Sequence, residues 1–173
     1  GVQTCALPIL GTVQFGLPYG ITNQAGVPSD QELQQISDSL DRLGIGLIDT
    51  AYNYGNCEER IGALGWASRP NLRIVTKCPS VSSEKELLQR IKESLTRLRG
   101  ERVYGYLLHD AGNLRGNSAE RVAEGLRQVR EDGLADKIGV SVYSAEEALE
   151  IYQRFPFHRS EEHTSELQSR ETI

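Results

Sequence analysis

The sequence predicts an α/β fold: a partial (β/α)8 TIM barrel in which about five βα units are present. Three observations support this prediction. Short strand-like runs alternate with single-faced helical stretches, polar residues end successive strands, and the first βα turn lacks the glycine pattern of a nucleotide-binding doubly wound sheet.

Five short runs rich in apolar residues have the length of buried strands. They cover residues 10–15, 47–51, 73–77, 103–109 and 137–142. The stretches between them are long enough for helices, so the strands are expected to run parallel and to be joined by helical crossovers.

Helix starts and stops lie between these strands. A Ser-x-x-Glu motif, in which a hydroxyl and a carboxylate satisfy free amides at a helix N-terminus, occurs at Ser29 with Glu32, Ser83 with Glu86, and Ser144 with Glu147. Apolar residues then recur at intervals of three and four after Ser29, Ser83 and Ser118, and the patterns stop before Gly44, Gly100 and Gly133.

Two architectures share this alternation, the doubly wound sheet and the eight-unit barrel. The first βα turn, from Gly11 to Gly16, lacks the second glycine of G-x-G-x-x-G. Polar residues end four successive strands, and active sites of barrels collect at such strand ends; the residues are Asp49, Lys77, His109 and Ser141. Both observations favour the barrel.

Composition excludes several classes of function. The chain has 173 residues and a net charge of -5, without the basic excess that draws proteins to nucleic acid or anionic membranes. No apolar run has the length of a membrane span or a signal peptide, so a soluble cytoplasmic protein is expected. Cys5, Cys57 and Cys78 fit neither a disulfide framework nor a metal site, and reduced thiols are expected.

Both ends of the chain are predicted to be non-native. Residues 1–9 can be encoded by GGA GTT CAG ACG TGT GCT CTT CCG ATC, and the reverse complement, read one base out of phase, encodes residues 159–167. One short DNA read on both strands therefore accounts for both ends, and it resembles a translated sequencing adapter. We expect residues 1–9 and 159–173 to be adapter-derived and residues 10–158 to form one truncated domain.

Four residues could together transfer a proton. Asp49, Lys77 and His109 end strands, and Tyr54 lies five residues after Asp49. An ammonium beside a phenol is expected to lower the phenol pKa from about 10, which would make Tyr54 a general acid, with Asp49 orienting Lys77. A neutral His109 could fix a substrate carbonyl by a hydrogen bond. Tyr52 competes with Tyr54 as the acid, and the five-residue spacing and Gly55 favour Tyr54.

The run from Asp49 to Gly62, Asp-Thr-Ala-x-x-Tyr-Gly-Asn-x-Glu-x-x-Ile-Gly, resembles the aldo-keto reductase family. Further matches follow in the family's order and cover essentially all of residues 10–155; they are Leu10-Gly-Thr12, Val75-Thr-Lys77, Leu108-His109 and Ile138-Gly-Val-Ser141. The resemblance implies an oxidoreductase that uses NADPH to reduce an aldehyde or ketone to an alcohol.

The resemblance also implies a role for each matched residue. Asp49 and Lys77 correspond to the charged pair, Tyr54 to the proton donor and His109 to the substrate-orienting histidine. The residues implied at the cofactor are Gly11, Thr12, Asp49 and Ser141. The sequence departs from the family at Val142, where asparagine is usual, and at Cys57, where serine is frequent.

The family has eight βα units and this chain has five, so the strands that hold the cofactor phosphates in the family are not represented. We therefore expect the 173-residue chain to be inactive by itself. Two other functions stay open, a nucleotide-sensing subunit without catalysis and an inert fragment. Cys57, Cys78 and Trp66 are expected to fill space, and the acidic helix faces within 84–93 and 120–131 to be solvated.

Overall fold

The computed structural model describes residues 8–21 and 23–155. The segments predicted to be adapter-derived lie outside these residues, except for Pro8 and Ile9, and so do Cys5 and the last three residues of the predicted domain.

Five parallel strands form one sheet in the order of the chain. The strands are β1 (Ile9–Gly11), β2 (Leu47–Asp49), β3 (Arg73–Cys78), β4 (Val103–Leu108) and β5 (Ala135–Val140). Each pairs with its sequence neighbour, which leaves β1 and β5 at the two edges. This arrangement confirms the predicted α/β fold of a partial barrel.

Helices connect consecutive strands. They are α1 (Val13–Gly16), α2 (Asp30–Ser39), α3 (Cys57–Ala63), α4 (Glu84–Leu98), α5 (Ala119–Glu131) and α6 (Ala145–Arg154), with single 3-10 turns at Trp66–Ser68 and Ala111–Leu114. The three predicted Ser-x-x-Glu starts are correct: Ser29, Ser83 and Ser144 each accept a hydrogen bond from the amide three residues later. These caps fix where α2, α4 and α6 begin.

The first predicted strand is too long at its carboxyl end. The sequence predicts a strand over 10–15, but β1 ends at Gly11. The Thr12 amide and hydroxyl both donate to the Asp49 carbonyl oxygen, at 3.0 and 2.9 Å, and the Thr12 carbonyl already accepts from the Phe15 amide at 2.8 Å, which starts a helical turn. The chain then turns into α1, and Gly16 approaches the Tyr54 carbonyl so closely that a β-carbon would overlap it. The other four strands begin and end within two residues of the predicted positions.

The two faces of the sheet have different surroundings. Alternating side chains on one face pack under the helices and are buried, among them Ile48, Ile74, Tyr106, Leu108 and Ile138. Trp66 is fully buried in this core, and its indole N–H donates to the Ser37 hydroxyl at 2.8 Å. The expected role of Trp66 in packing is thereby confirmed.

The other face of the sheet corresponds to the interior of a barrel, and it carries polar residues where the strands end. A β-carbon on Gly105 would contact Val75, and one on Gly139 would contact Leu107, so these four residues share a face. Lys77, His109 and Ser141 lie two residues beyond Val75, Leu107 and Gly139, and alternation keeps them on that face.

The register brings the strand ends together. Asp49 pairs with Val75 and Lys77 pairs with Leu107, so each polar residue lies two residues beyond the partner of the previous one. Such a constant stagger is the geometry of strands that tilt around a barrel axis. The predicted site residues therefore converge at the carboxyl edge of the sheet.

Candidate active site

Asp49 and Lys77 form a buried ion pair. Lys77 Nζ lies 2.5 Å from Asp49 Oδ1 and 3.2 Å from the Thr50 carbonyl oxygen, to which it also donates. Lys77 is only 5% exposed and Asp49 only 7%. Because a buried charge is costly without a partner, each residue compensates the charge of the other and holds it in a fixed position.

Tyr54 lies in the connection between β2 and α3. Its amide donates to the Ala51 carbonyl at 3.1 Å, and its own carbonyl accepts from the Cys57 amide at 3.1 Å. Lys77 Nζ is 5.5 Å from the centre of the Tyr54 ring. The phenol is therefore adjacent to the ion pair and partly exposed to solvent.

The expected effect of Lys77 on Tyr54 is wrong for this structure. Burial, followed by the negative charge of Asp49, raises the pKa of Tyr54 to about 12. The ammonium does not lower this pKa because Asp49 lies directly on it and offsets its charge. Tyr54 thus stays protonated through the neutral range.

His109 follows β4 directly and faces Tyr54. The two ring centres are 5.8 Å apart with an angle of 83° between the planes, an edge-to-face contact. Burial, and next the charge of Lys77, lowers the pKa of His109, so the ring is neutral at neutral pH. Its Nδ1 is buried and has no hydrogen-bond partner among the described residues.

Tyr52 points away from this group. Its hydroxyl donates to Glu93 Oε2 on α4 at 2.8 Å and accepts from Arg90 at 3.0 Å. Of the two tyrosines that compete for the role of acid, Tyr54 alone contacts the ring of His109 and the ammonium of Lys77. The structure therefore brings together Asp49, Tyr54, Lys77 and His109.

The predicted cofactor residues differ in accessibility. Gly11 is exposed, and a β-carbon there would meet no atom within 4 Å. Ser141 is partly exposed, with its amide donating to the Leu108 carbonyl at 2.9 Å. Thr12 is fully buried, and its hydroxyl bonds to the Asp49 carbonyl, so this side chain holds the strand end.

Cys57 and Cys78 are buried free thiols, as expected. Cys57 Sγ lies 3.1 Å from Thr12 Oγ1 and 3.2 Å from Thr50 Oγ1, so it fills the space below Tyr54 and links β1 to the segment after β2. Burial raises the pKa of both thiols, that of Cys78 to about 11.

Sequence reasoning missed a polar cluster behind the site. Glu93 is 31% exposed on α4 and accepts hydrogen bonds from Gln89, Tyr52 and Arg90, which lower its pKa to about 2. Glu58 is 1% exposed and accepts a hydrogen bond from the Thr76 hydroxyl at 2.6 Å. The available signal was the spacing of Arg90, Glu93 and Arg97, which places them along one side of α4.

The part of the chain that the structure describes contains neither a cluster of metal-binding side chains nor a membrane-spanning helix. Within 8–21 and 23–155, no group of three or more His, Cys, Asp or Glu side chains is arranged to hold a metal ion. In the same part of the chain, no helix has both the length and the apolar character needed to cross a membrane.

The sequence matches the family model of the aldo/keto reductases over residues 9–170. An aldo-keto reductase of Mycolicibacterium smegmatis is 34% identical over 128 residues, which are 70% of this chain and 44% of that protein. The chain thus spans less than half the length of this curated relative.

Solved structures give the same result. A Pseudomonas aeruginosa protein described as an aldo-keto reductase is 29% identical, with a TM-score of 0.72 over 85% of this chain and 60% of its own. An aldo/keto reductase of Klebsiella pneumoniae, solved in complex with NADP and acetate, is 25% identical, with a TM-score of 0.66 over 84% of this chain and 49% of its own.

Proposed function

Because this chain belongs to the aldo/keto reductase family, we propose that the protein reduces an aldehyde or ketone to an alcohol with NADPH, and that Tyr54 supplies the proton. The observation that carries this proposal is the meeting of Tyr54, His109 and the Asp49–Lys77 pair at one strand edge. The NADP bound to the Klebsiella pneumoniae relative supports the choice of cofactor.

Each residue has one task in this reaction. NADPH, when bound, would supply the hydride for the carbonyl carbon. The Tyr54 hydroxyl would give its proton to the carbonyl oxygen. The high pKa of Tyr54 ensures that the proton is present before the reaction. Asp49 holds the Lys77 ammonium 5.5 Å from the centre of the Tyr54 ring, so a cation stays beside the phenol during proton transfer.

His109 orients the substrate. Its neutral ring carries one N–H that can donate to the carbonyl oxygen, and the edge-to-face contact with Tyr54 holds the ring at a fixed angle. A carbonyl oxygen between the two side chains would receive a hydrogen bond from each, which aligns the substrate for proton transfer.

The nicotinamide end of the cofactor would lie between Gly11 and Ser141, beside Asp49. Gly11 offers open space and Ser141 a partly exposed hydroxyl. Thr12 contributes through its hold on the Asp49 backbone, since its own hydroxyl is buried. We further propose that residues 10–158 are the first five units of the barrel, and the activity is that of the complete protein.

The test is Tyr54→Phe in the complete protein. We expect NADPH oxidation in the presence of a carbonyl substrate to fall roughly 10²- to 10⁴-fold, the contribution of a general acid. The dissociation constant for NADPH, from a fluorescence titration, should stay within about twofold because the ring is retained. Tyr152→Phe, on an exposed residue of α6, is the matched control and should change neither quantity.

Two results would overturn the proposal. Full turnover by Tyr54→Phe would assign the proton donor elsewhere. Tight NADPH binding without turnover of any aldehyde or ketone would instead indicate a nucleotide sensor.

A further inference from the structure

Residues 52–58, the segment that carries Tyr54, are held from one side by α4. Tyr52 extends from this segment, and its ring lies against two guanidinium groups, with Arg97 Cζ 3.9 Å and Arg90 Cζ 5.1 Å from the ring centre. Its hydroxyl donates to Glu93 at 2.8 Å and accepts from Arg90 at 3.0 Å. Both the ring and the hydroxyl of Tyr52 are therefore fixed by α4.

Arg97 also holds the other side of the segment. Its Nη1 lies 3.4 Å from Oε2 of Glu58, a carboxylate that is almost entirely buried, and its Nε lies 3.4 Å from Glu59 Oε1. One side chain of α4 thus contacts the residue two positions before Tyr54 and the residue four positions after it.

The same contacts connect the segment to the strand that carries Lys77. The Tyr52 amide donates to the Lys77 carbonyl at 3.0 Å. Glu58 accepts the hydrogen bond of Thr76, the residue before Lys77, at 2.6 Å. The two ends of the segment are therefore attached both to α4 and to β3, and Tyr54 lies between these attachments.

We propose that Tyr52 and Arg97 are positioning residues that hold the Tyr54 phenol against Lys77 and His109. This rests on the function proposed above, in which Tyr54 is the proton donor. Neither residue reaches the reacting atoms, and both act through the backbone of the segment they anchor. A displacement of about 1 Å at a reacting group can cost about 10²-fold in rate, so a loosened anchor has a measurable effect.

The experiment uses Tyr52→Phe and Arg97→Lys in the complete protein. Tyr52→Phe removes the bonds to Glu93 and Arg90 and keeps the ring, whereas Arg97→Lys keeps the charge and removes the planar contact with Tyr52 and the fork that bridges Glu58 and Glu59. We expect kcat to fall about 10-fold in each variant, with KM for the carbonyl within about twofold. Amide hydrogen exchange at Tyr54 and Cys57 should become about 10-fold faster.

Two matched controls lie away from the segment. Tyr152→Phe removes an exposed hydroxyl on α6, and Arg102→Lys alters an exposed ion pair with Asp136. Both should leave kcat and the exchange of Tyr54 and Cys57 unchanged, which separates the anchor from a general effect of losing a hydroxyl or a guanidinium.

The outcomes distinguish the anchor from the catalytic role of Tyr54. Unchanged kcat with faster local exchange would overturn the positioning role, and so would faster exchange spread evenly over β3, β4 and α4, which indicates general destabilisation. Faster exchange confined to 52–57 in the two variants, together with a wild-type protein that reduces no carbonyl, would support the anchor and overturn the proposed function.

Discussion

Tyr54 keeps its proton because burial and the Asp49 carboxylate both disfavour the phenolate. We predict that Tyr54 titrates near pH 12, above the ordinary value of about 10. Asp49→Asn should lower this midpoint, since it removes a negative charge and leaves Lys77 uncompensated. Nuclear magnetic resonance of ring-labelled tyrosine, with the Tyr54 signal identified from Tyr54→Phe, measures both values.

A midpoint that does not move in Asp49→Asn would contradict this account of the pKa. Tyr104→Phe serves as the control, because Tyr104 contacts Arg73 on β3 and is not among the main groups that raise the pKa of Tyr54. Its loss should leave the Tyr54 midpoint unchanged.

His109 makes the free energy of unfolding depend on pH in the mildly acidic range. Its pKa is lowered by burial and by Lys77, so folding favours the neutral ring. The corresponding stability is present above the unfolded pKa of about 6.5 and is lost as the pH falls through the folded value. We predict that His109→Gln reduces the loss of unfolding free energy between about pH 7 and pH 5, measured by urea denaturation.

An equal loss of stability in wild type and His109→Gln would show that other groups carry the acid sensitivity. Glu150→Gln, at an exposed carboxylate whose pKa Arg115 lowers, is a useful comparison. Acid removes the stabilising contribution of Glu150 by neutralising a carboxylate, whereas it removes that of His109 by charging an imidazole.

At this scale, the sequence predicted the members of the site but not their electrostatics. The spacing in 49–62 was sufficient to select Tyr54 and Asp49. The direction of the Tyr54 pKa shift depends first on burial of the phenol and then on the charge of Asp49, and only the folded geometry defines both. The role of Tyr52 likewise depends on contacts with α4, about forty residues away in the sequence.

Helix starts were the most predictable elements because capping is local in sequence. Ser83 accepts from the Glu86 amide at 3.2 Å. We predict that Ser83→Ala lowers the free energy of unfolding by about 1 kcal/mol, the usual cost of losing an N-cap. Chemical denaturation measures this change, and Ser68→Ala at an exposed serine is the control; equal effects of the two variants would refute the capping role.

Contacts between helices were not predictable, and Gly62 is an example. A β-carbon at Gly62 would overlap the Arg97 carbonyl oxygen, so α3 and α4 are in backbone contact there. We predict that Gly62→Ala destabilises the fold by about 1–3 kcal/mol or more, the range for overpacking. Ala63→Ser, at the exposed neighbour, should cost less than about 1 kcal/mol by the same denaturation assay, and a Gly62→Ala protein of wild-type stability would contradict the contact.

The first strand shows why a short apolar run is ambiguous. Residues 10–15 are consistent with a strand or with one helical turn, and periodicity cannot distinguish them over so few residues. The last hydrogen bonds between β1 and β2 are those of Thr12 to the Asp49 carbonyl, and they join residues thirty-seven positions apart.

In the part of the chain that the structure describes, the sheet is open, and this leaves two kinds of surface exposed. β1 and β5 are edge strands, and the face that carries Val75 and Leu107 is only partly covered. We predict that the 173-residue chain alone self-associates and reduces no carbonyl, because unpaired strand edges and an exposed interior face favour aggregation. Analytical ultracentrifugation tests this, and a soluble monomer with a sharp cooperative melt would refute it.

At this scale the alternation of strands and helices was sufficient to predict a parallel sheet, since strands joined by helical crossovers run parallel. The stagger between strands was not predictable, because it is fixed by pairings such as Asp49 with Val75 and Lys77 with Leu107. That stagger is what brings the catalytic candidates to one edge.

The strand order has a consequence for biosynthesis. Since the sheet follows the order of the chain, every strand from β2 onward pairs with one that has already left the ribosome. Each βα unit can add to a preformed edge while the next is translated, with no need to wait for a distant partner. Growth from the N-terminus also means that Asp49 and Lys77 can come into contact before β4 adds His109 to the sheet.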